Sequence, residues 1–326
     1  MPFQEFLRLF AHLQSLPVLA EGDEETLVGG QAVMEGVMMR APHSYCVAVR
    51  KMSGEIVTDE KLSPKVSEKY PIFRFPVLRG VGTLGQALSI GIKALHFSAN
   101  AALQDADPKA AKKEMTSWML ALNLVLSLVF FIFLYKFVPL YLATALGKVF
   151  PAVHGRIPFN LVDGLIRMAI FLAFLYTISL WKEMRRVFEY HGAEHRVVFN
   201  FESGRPVTVE NAQTFSTFHP RCGTSFLLVV MLVSIGVYTL LPFDSFLLKL
   251  AGRILLLPLI AGLSYELIRF AAKHRGGLMA ALTAPGLWLQ RITTKPPSPD
   301  QTAVAIEALE HAMAIEQAQG GKLVIA

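Results

Sequence analysis

The hydrophobic positions of this chain fall into long unbroken blocks bordered by basic residues. Ser117 to Tyr135 holds no acid or base besides its terminal tyrosine. It predicts a helix able to lie in hydrocarbon, with Trp118 at one end and Tyr135-Lys136 at the other as interfacial anchors. A second block runs from about Leu161 to Trp181, with Asp163 and Arg167 near its start, where side chains can snorkel to the interface. Thr224 to Tyr238, continuing through Leu241, is uncharged and rich in Leu and Val. The fourth block, about Ile254 to Phe270, contains Pro258, Gly262 and the acid Glu266, which predict a short span that is kinked or deeply packed. Spans are therefore expected over 117–138, 161–181, 224–241 and 254–270.

Between and around these blocks the pattern changes. Residues 1–26 are an extension in which Phe3, Phe6, Leu7, Phe10, Leu13 and Leu16 recur at helical spacing, as in an amphipathic helix lying on a membrane. Residues 27–76 read as a small β-rich unit: Gly29, Gly30 and Gly36 as tight turns, Tyr45 to Arg50 as a strand, and Ser53-Gly54 as a hairpin turn before Glu55 to Thr58. Residues 77–104 have helical periodicity broken by Arg79, Lys93 and His96, which predicts an interfacial or re-entrant helix with His96 packed among apolar residues. Residues 285–326 form a tail: a stiff linker from Lys295 to Asp300, an amphipathic helix from Ala303 to Gln317 with Asp300 or Thr302 as N-cap, and a frayed Gly320-Gly321 end. The expected fold class is mainly α, a polytopic membrane helical bundle of about four transmembrane helices with a small N-terminal cytosolic β-rich unit and amphipathic interfacial helices.

Composition agrees with insertion in a bilayer. Of 326 residues, 53% are hydrophobic and 17% charged, against about a quarter charged in soluble proteins. Lys109, Lys112 and Lys113 precede the first span, Lys182, Arg185 and Arg186 follow the second, and Arg269, Lys273 and Arg275 follow the fourth. The intervening loops carry fewer, namely Lys148 and Arg156, then Lys249. The positive-inside rule places both termini and the 182–223 loop in the cytoplasm, in a cell (inner) membrane. The pI of 9.3 reflects this border, since no nucleic-acid-binding module is present. Met1 to Ala20 lacks the pattern of a cleavable signal, and no internal repeat supports an inverted-repeat transporter. Cys46 and Cys222, both on expected cytosolic segments, read as free thiols or metal ligands and not as a disulfide.

The chemistry concentrates in the 182–223 segment. In His191-Gly-Ala-Glu-His195 the two histidines, four apart on a helix, share a face and can offer two imidazoles to one divalent ion, with Glu194 as ligand or base. The spacing is that of H-x-x-E-H metallopeptidases; the bland alternative is a juxtamembrane helix whose polar residues face water. If the helix of the second span continues about ten residues past Trp181, His191 lies roughly 15 Å beyond it. His219 and Cys222 then enter the same layer from the far side of the loop. Two histidines and a carboxylate would leave a position for water with Glu194 as base, whereas three histidines and one cysteine would close the site for a structural role. Cys222 can equally be a packing residue. Glu266 can complete the site or pair with Arg221 or Arg253, and Arg196, Arg205 and Arg221 can hold an anionic substrate or headgroup.

Gly29-Gly-Gln-Ala-Val-Met-Glu-Gly-Val-Met-Met-Arg40, His191-Gly-Ala-Glu-His195, Val209-Glu-Asn211, His219-Pro-Arg-Cys-Gly-Thr-Ser225, Leu257-Pro258, Ser264-Tyr-Glu266 and Ala284-Pro-Gly-Leu287 together resemble the YqhQ-like family of bacterial multi-pass membrane proteins. That family is described as a domain of unknown function and as predicted metal-dependent enzymes. The resemblance covers roughly residues 27 to 312 and strengthens the multi-pass expectation; it brings no substrate. Three readings follow. One is a hydrolase using a divalent metal, zinc by preference, held by His191, His195, His219, Cys222 or Glu266, with Glu194 as catalytic base and a lipid-linked or membrane-near substrate. The others are a non-catalytic protein with the same cluster as a clamp, and a transport or assembly partner in the lipid bilayer.

Overall fold

A computed structural model of the chain describes residues 28–106, 117–219, 222–273 and 277–319. The expected helix at 3–20, the basic residues Lys109, Lys112, Lys113 and Arg275, and the 320–321 end lie outside the described residues, as does Arg221.

The N-terminal unit is a four-stranded antiparallel meander, β1 (Gly29–Val33), β2 (Gly36–Arg40), β3 (Ser44–Arg50) and β4 (Ile56–Leu62), in that spatial order. Ser53-Gly54 turns β3 into β4 with Gly54 at φ +90, a conformation that favours glycine. Both faces of the sheet are covered, which explains why β2 and β3 read as apolar runs with little alternation. Val37, Met39 and Ala48 point into one core and Val33, Met38, Tyr45, Val47 and Val49 into another. Short helical turns at Val66–Lys69 and Pro71–Arg74 then lead to α1 (Leu78–Ala106), whose Ile90, Ala94 and Ala101 fill the second core. This helix lies on the sheet with one stripe buried, while Leu88, Ile92, Leu95 and Leu103 form an exposed apolar stripe. Gly29, Gly30 and Gly36 are strand residues and not turn residues; for Gly30 and Gly36 the cause is close packing, since a Cβ would meet Met38 O at 2.6 Å and Ala48 O at 2.2 Å.

The long apolar segment is one helical rod in two pieces, α2 (Ser117–Ile132) and α3 (Val138–Val149), joined by a π-helical turn at Phe133–Phe137. The stretch Leu122–Val149 is 28 residues long and α4 (Arg156–Ser179) is 24. At about 1.5 Å per residue both exceed the roughly 30 Å of a bilayer core. Lys136 was expected at an interface; it lies within this rod and donates to the Tyr238 hydroxyl at 2.8 Å. Asp163 and Arg167 likewise do not snorkel: both are buried on the inner face of α4 and bonded to each other.

α4 does not continue into the motif helix. The chain breaks at Leu180-Trp181, and α5 (Lys182–Glu202) starts anew with Trp181 in extended conformation as its N-cap. After the short α6 (Val209–Gln213) come α7 (Gly223–Thr239), α8 (Phe246–Leu255) and α9 (Leu257–Lys273). α8 and α9 are apolar enough to make one crossing but bend by 51° at their junction, where Pro258 cannot continue the hydrogen-bond ladder of α8. Among the described residues two helices, or three if the bent pair counts as one, are long and apolar enough to cross a membrane. α7, at 17 residues, is apolar but shorter.

α10 (Gly277–Thr293) runs through Pro285, and α11 (Pro299–Ala318) follows. The cap of α11 is Ser298, not Asp300 or Thr302: its hydroxyl accepts from Gln301 N–H while Gln301 returns a bond to the Ser298 amide, a capping box with Pro299 at N1. Nor is α11 part of a tail. Val304, Ala305, Ala308, Leu309, Ala312 and Met313 are buried against β2, β3 and α5, making it the central helix of the first core. Small residues on several sides let it pack all round, so no wide polar face remains.

Candidate metal centre

α5 brings the motif into the domain because it is wedged between β1 and α11, with Tyr190, Ala193, Val197 and Val198 buried in the first core. The remaining face carries His191 and His195, whose ring centroids are 4.4 Å apart. Glu35, in the β1–β2 turn at φ +52, receives Arg186 on both carboxylate oxygens and so pins the hairpin to α5.

Each histidine is oriented by a backbone carbonyl. His191 Nδ1 is 2.8 Å from Thr293 O, and His195 Nδ1 is 2.5 Å from Thr217 O. A carbonyl only accepts, so both Nδ1 atoms carry the proton and both Nε2 atoms present lone pairs. The His191 lone pair faces a sulfur, Cys222 Sγ at 3.3 Å from Nε2, and His195 stands beside the same thiol. His191, His195 and Cys222 place their ligand atoms all within 4.8 Å of one another. A zinc ion with bonds of about 2.0–2.3 Å separates its ligand atoms by roughly 3.3–3.8 Å; the 3.3 Å between Cys222 Sγ and His191 Nε2 falls in that range, and imidazole nitrogen and thiol sulfur are donors of the kind zinc takes. Cys222 is the N-cap of α7 and its sulfur accepts from Thr224 N–H, at the helix end that favours a negative ligand atom.

Glu194 is buried beside this group, with one oxygen 3.5 Å from His195 Nε2. Room for it is made by Gly30, where a Cβ would come within 2.7 Å of Glu194 Cγ and 2.6 Å of Met38 O. This close approach is what Gly30 serves; a Cβ at Gly29 would meet nothing within 4 Å. Gly192 has the same logic: a Cβ there would meet Lys295 O at 2.1 Å.

The other expected ligands separate. His219 is buried next to the group, its ring 5.6 Å from that of His195, but its Nε2 is 3.4 Å from Glu202. Glu266 is elsewhere, bonded to Arg79 and accepting Val77 N–H at 3.2 Å. It holds the start of α1, where Val77 has φ +67, a strained state for a β-branched residue. Its partner is thus neither a metal ligand nor Arg253. Arg196 is bonded to Gln213, and Arg205 lies over the Phe215 ring. Cys46 sits in β3 at 0% exposure, its thiol pushed up by burial to about 12, which makes it a packing residue. His96 is half-buried against Asn100.

Three further groups shape the site without a motif to mark them: the carbonyls of Thr217 and Thr293, which carry no side-chain signature, and Gln290. Gln290 is fully buried and clamps His219, accepting its N–H at 2.7 Å and donating to its carbonyl at 2.8 Å. The only available signal was an amide inside the apolar run Leu287-Trp-Leu-Gln290.

Burial disfavours the charged form of both buried histidines. His219 is lowered to about 4, against a smaller opposing effect of Glu194, and His195 is lowered as well. In the unfolded chain both titrate near 6.5. Between about pH 6.5 and 4 the unfolded state therefore binds more protons than the folded one, and stability falls as pH falls through that window. Thermal midpoints measured from pH 7.5 to 4.5 should decline, and His219→Gln should flatten the decline; an unchanged slope would contradict the assignment.

A family model described as "Protein of unknown function (DUF1385)" matches residues 75–315. The uncharacterized protein YqhQ of Bacillus subtilis (strain 168) is 36% identical over 299 residues, covering 88% of this chain and 92% of its own length. No solved structure matches the chain. With a match that runs from the foot of α1 almost to the end of α11 and takes in the whole His/Cys cluster, the chain belongs to the DUF1385 family.

Proposed function

We propose that the protein is an integral membrane hydrolase dependent on a divalent metal, zinc by its donor set, with His191 Nε2, His195 Nε2 and Cys222 Sγ as ligands and Glu194 as general base. The observation that carries this reading is the pair of Nδ1-to-carbonyl bonds, which leave both Nε2 atoms as lone-pair donors in a group whose ligand atoms, Cys222 Sγ included, lie within 4.8 Å of one another. A bound ion would supply Lewis acidity and lower the pKa of a coordinated water. Glu194 then takes the proton of the attacking water on a carboxylate oxygen and delivers it to the leaving group as the substrate's acyl or phosphoryl bond breaks. The orientation of His219 toward Glu202 favours three protein ligands and an open position over a closed set of three histidines and a cysteine. In this reading the apolar helices cross the inner membrane, both termini face the cytoplasm, and the exposed apolar stripe of α1 lies along the bilayer, so the substrate is one presented at the membrane surface.

A second reading is favoured by burial: His195 is 2% exposed and Cys222 8%, and the group joins α5, α7 and the end of α10, as a structural clamp would. One pair of measurements separates the two. Elemental analysis of the gently purified protein is expected to give about one zinc per chain. Glu194→Gln should retain that metal while lowering turnover of ester and phosphodiester probes in mixed micelles about 10²–10⁴-fold. Metal-free protein rejects both readings; a metal-loaded variant with unaltered turnover rejects Glu194 as the base.

A further inference from the structure

The second concentration of charge lies at the other end of α7. Sixteen residues separate Cys222 from Tyr238, a rise of about 24 Å. Around the buried Tyr238 ring stand three basic side chains: Lys136 Nζ at 5.3 Å, the Arg167 guanidinium at 5.2 Å and that of Arg253 at 5.0 Å from its centroid. Asp163, bonded to both arginines, is the one carboxylate among the described residues that pairs with them. Arg167 donates further to Ser234 and Arg253 to Asn160 Oδ1 at 2.9 Å, yet Arg167 Nε has no partner. Two guanidinium groups against one carboxylate leave a positive excess inside an apolar bundle, where uncompensated charge is costly.

Of this group, Arg253 and the Tyr238 ring line a cavity. Between the α3–α4 turn, the end of α7 and α8 lies a space of about 370 Å³, with Asn160, Tyr238 and Arg253 among its walls. Its rim carries Lys148, Arg156 and Lys249 against the single acid Asp244. Lys148 and Arg156 are exposed and form no ion pair among the described residues, while Lys249 lies over the Phe159 ring at 4.4 Å. The guanidinium NH groups of Arg253 are already engaged inward, so its contribution is field, and the rim side chains supply the free donors. Phe159, Leu241 and Phe243 line the rest, giving an apolar wall beside a cationic one.

We propose that this cavity binds a phosphate group, either as a free anion or as the headgroup of a lipid whose chains lie along the apolar wall. It is separate from the His/Cys centre and would face the opposite side of the membrane. The test compares the full chain, a Lys148→Gln/Arg156→Gln variant, and a charge-matched Lys182→Gln/Arg185→Gln control from the start of α5. Each is titrated with inorganic phosphate at fixed ionic strength and, separately, reconstituted in phosphatidylglycerol or phosphatidylcholine vesicles, with the thermal midpoint as readout. The expected result is stabilisation by phosphate or by phosphatidylglycerol, weakened about tenfold or more in the rim variant and retained in the control. A response to soluble phosphate identifies a free anion, and a response confined to phosphatidylglycerol identifies a headgroup. No response in either arm, equal responses in wild type and rim variant, or equal loss in the control overturns the proposal.

Discussion

Asp163→Ala is expected to destabilise the protein by about 3–5 kcal/mol, the cost of leaving buried charges without their counter-ion. The carboxylate is bonded to Arg167 within α4 and to Arg253 across to α8, and all three side chains are 3% exposed or less. Its removal strands two guanidinium groups beside Tyr238, with Lys136 close by. The loss should appear as a lower thermal midpoint in detergent and as proteolysis of the α3–α4 region. Replacing Asp163 by Leu together with Arg167→Met and Arg253→Met should be milder than Asp163→Ala, because no unpaired charge remains. If the single substitution is the milder one, the network does not have the electrostatic role assigned to it.

Gly192→Ala should be the most disruptive change within the His/Cys motif that touches no ligand. The added methyl would sit 2.1 Å from Lys295 O, a backbone atom that cannot rotate away. Lys295 is tied to α5 by its N–H to Phe188 O at 2.9 Å, and two residues earlier Thr293 O orients His191. Overpacking of this kind costs about 1–3 kcal/mol. If His191 binds metal as proposed, displacing the carbonyl that fixes its tautomer should weaken that affinity about 10–100-fold. Competition with a chelator measures the second effect and thermal denaturation the first. Wild-type metal retention in a folded Gly192→Ala protein would show that the Thr293 carbonyl does not set the His191 ring.

Pairing of His191 with His195 follows from helical periodicity and needed no structure. The addition of Cys222 rested on motif order and its place at the start of an apolar helix, and α7 does begin there. Glu266 was misplaced because a buried acid announces only its need for a partner, and the partner proved to be Arg79, 187 residues away in sequence. Lys136, Asp163 and Arg167 were read as border residues for a similar reason: a charge near the end of an apolar block looks the same whether it reaches water or another helix. The 303–317 helix was read as amphipathic and peripheral because its alanines count as neutral in a pattern, whereas in the fold they permit the close packing of a central helix.

The chain by itself determined the local elements: apolar blocks long enough to cross a bilayer, a strand-rich unit with its Ser53-Gly54 turn, and two histidines on one helical face. These depend on properties of neighbouring residues, namely side-chain hydropathy, backbone preference and the 3.6-residue period, and so are written in short windows of sequence. Which charges meet was decided only by tertiary structure. Cys222 reaches His191 across 31 residues, Arg253 reaches Asp163 across 90, and the carbonyl of Thr293 orients His191 across 102. Such contacts depend on how helices cross and how closely glycines such as Gly30 and Gly192 let them approach, and the carbonyls among them leave no trace in residue type.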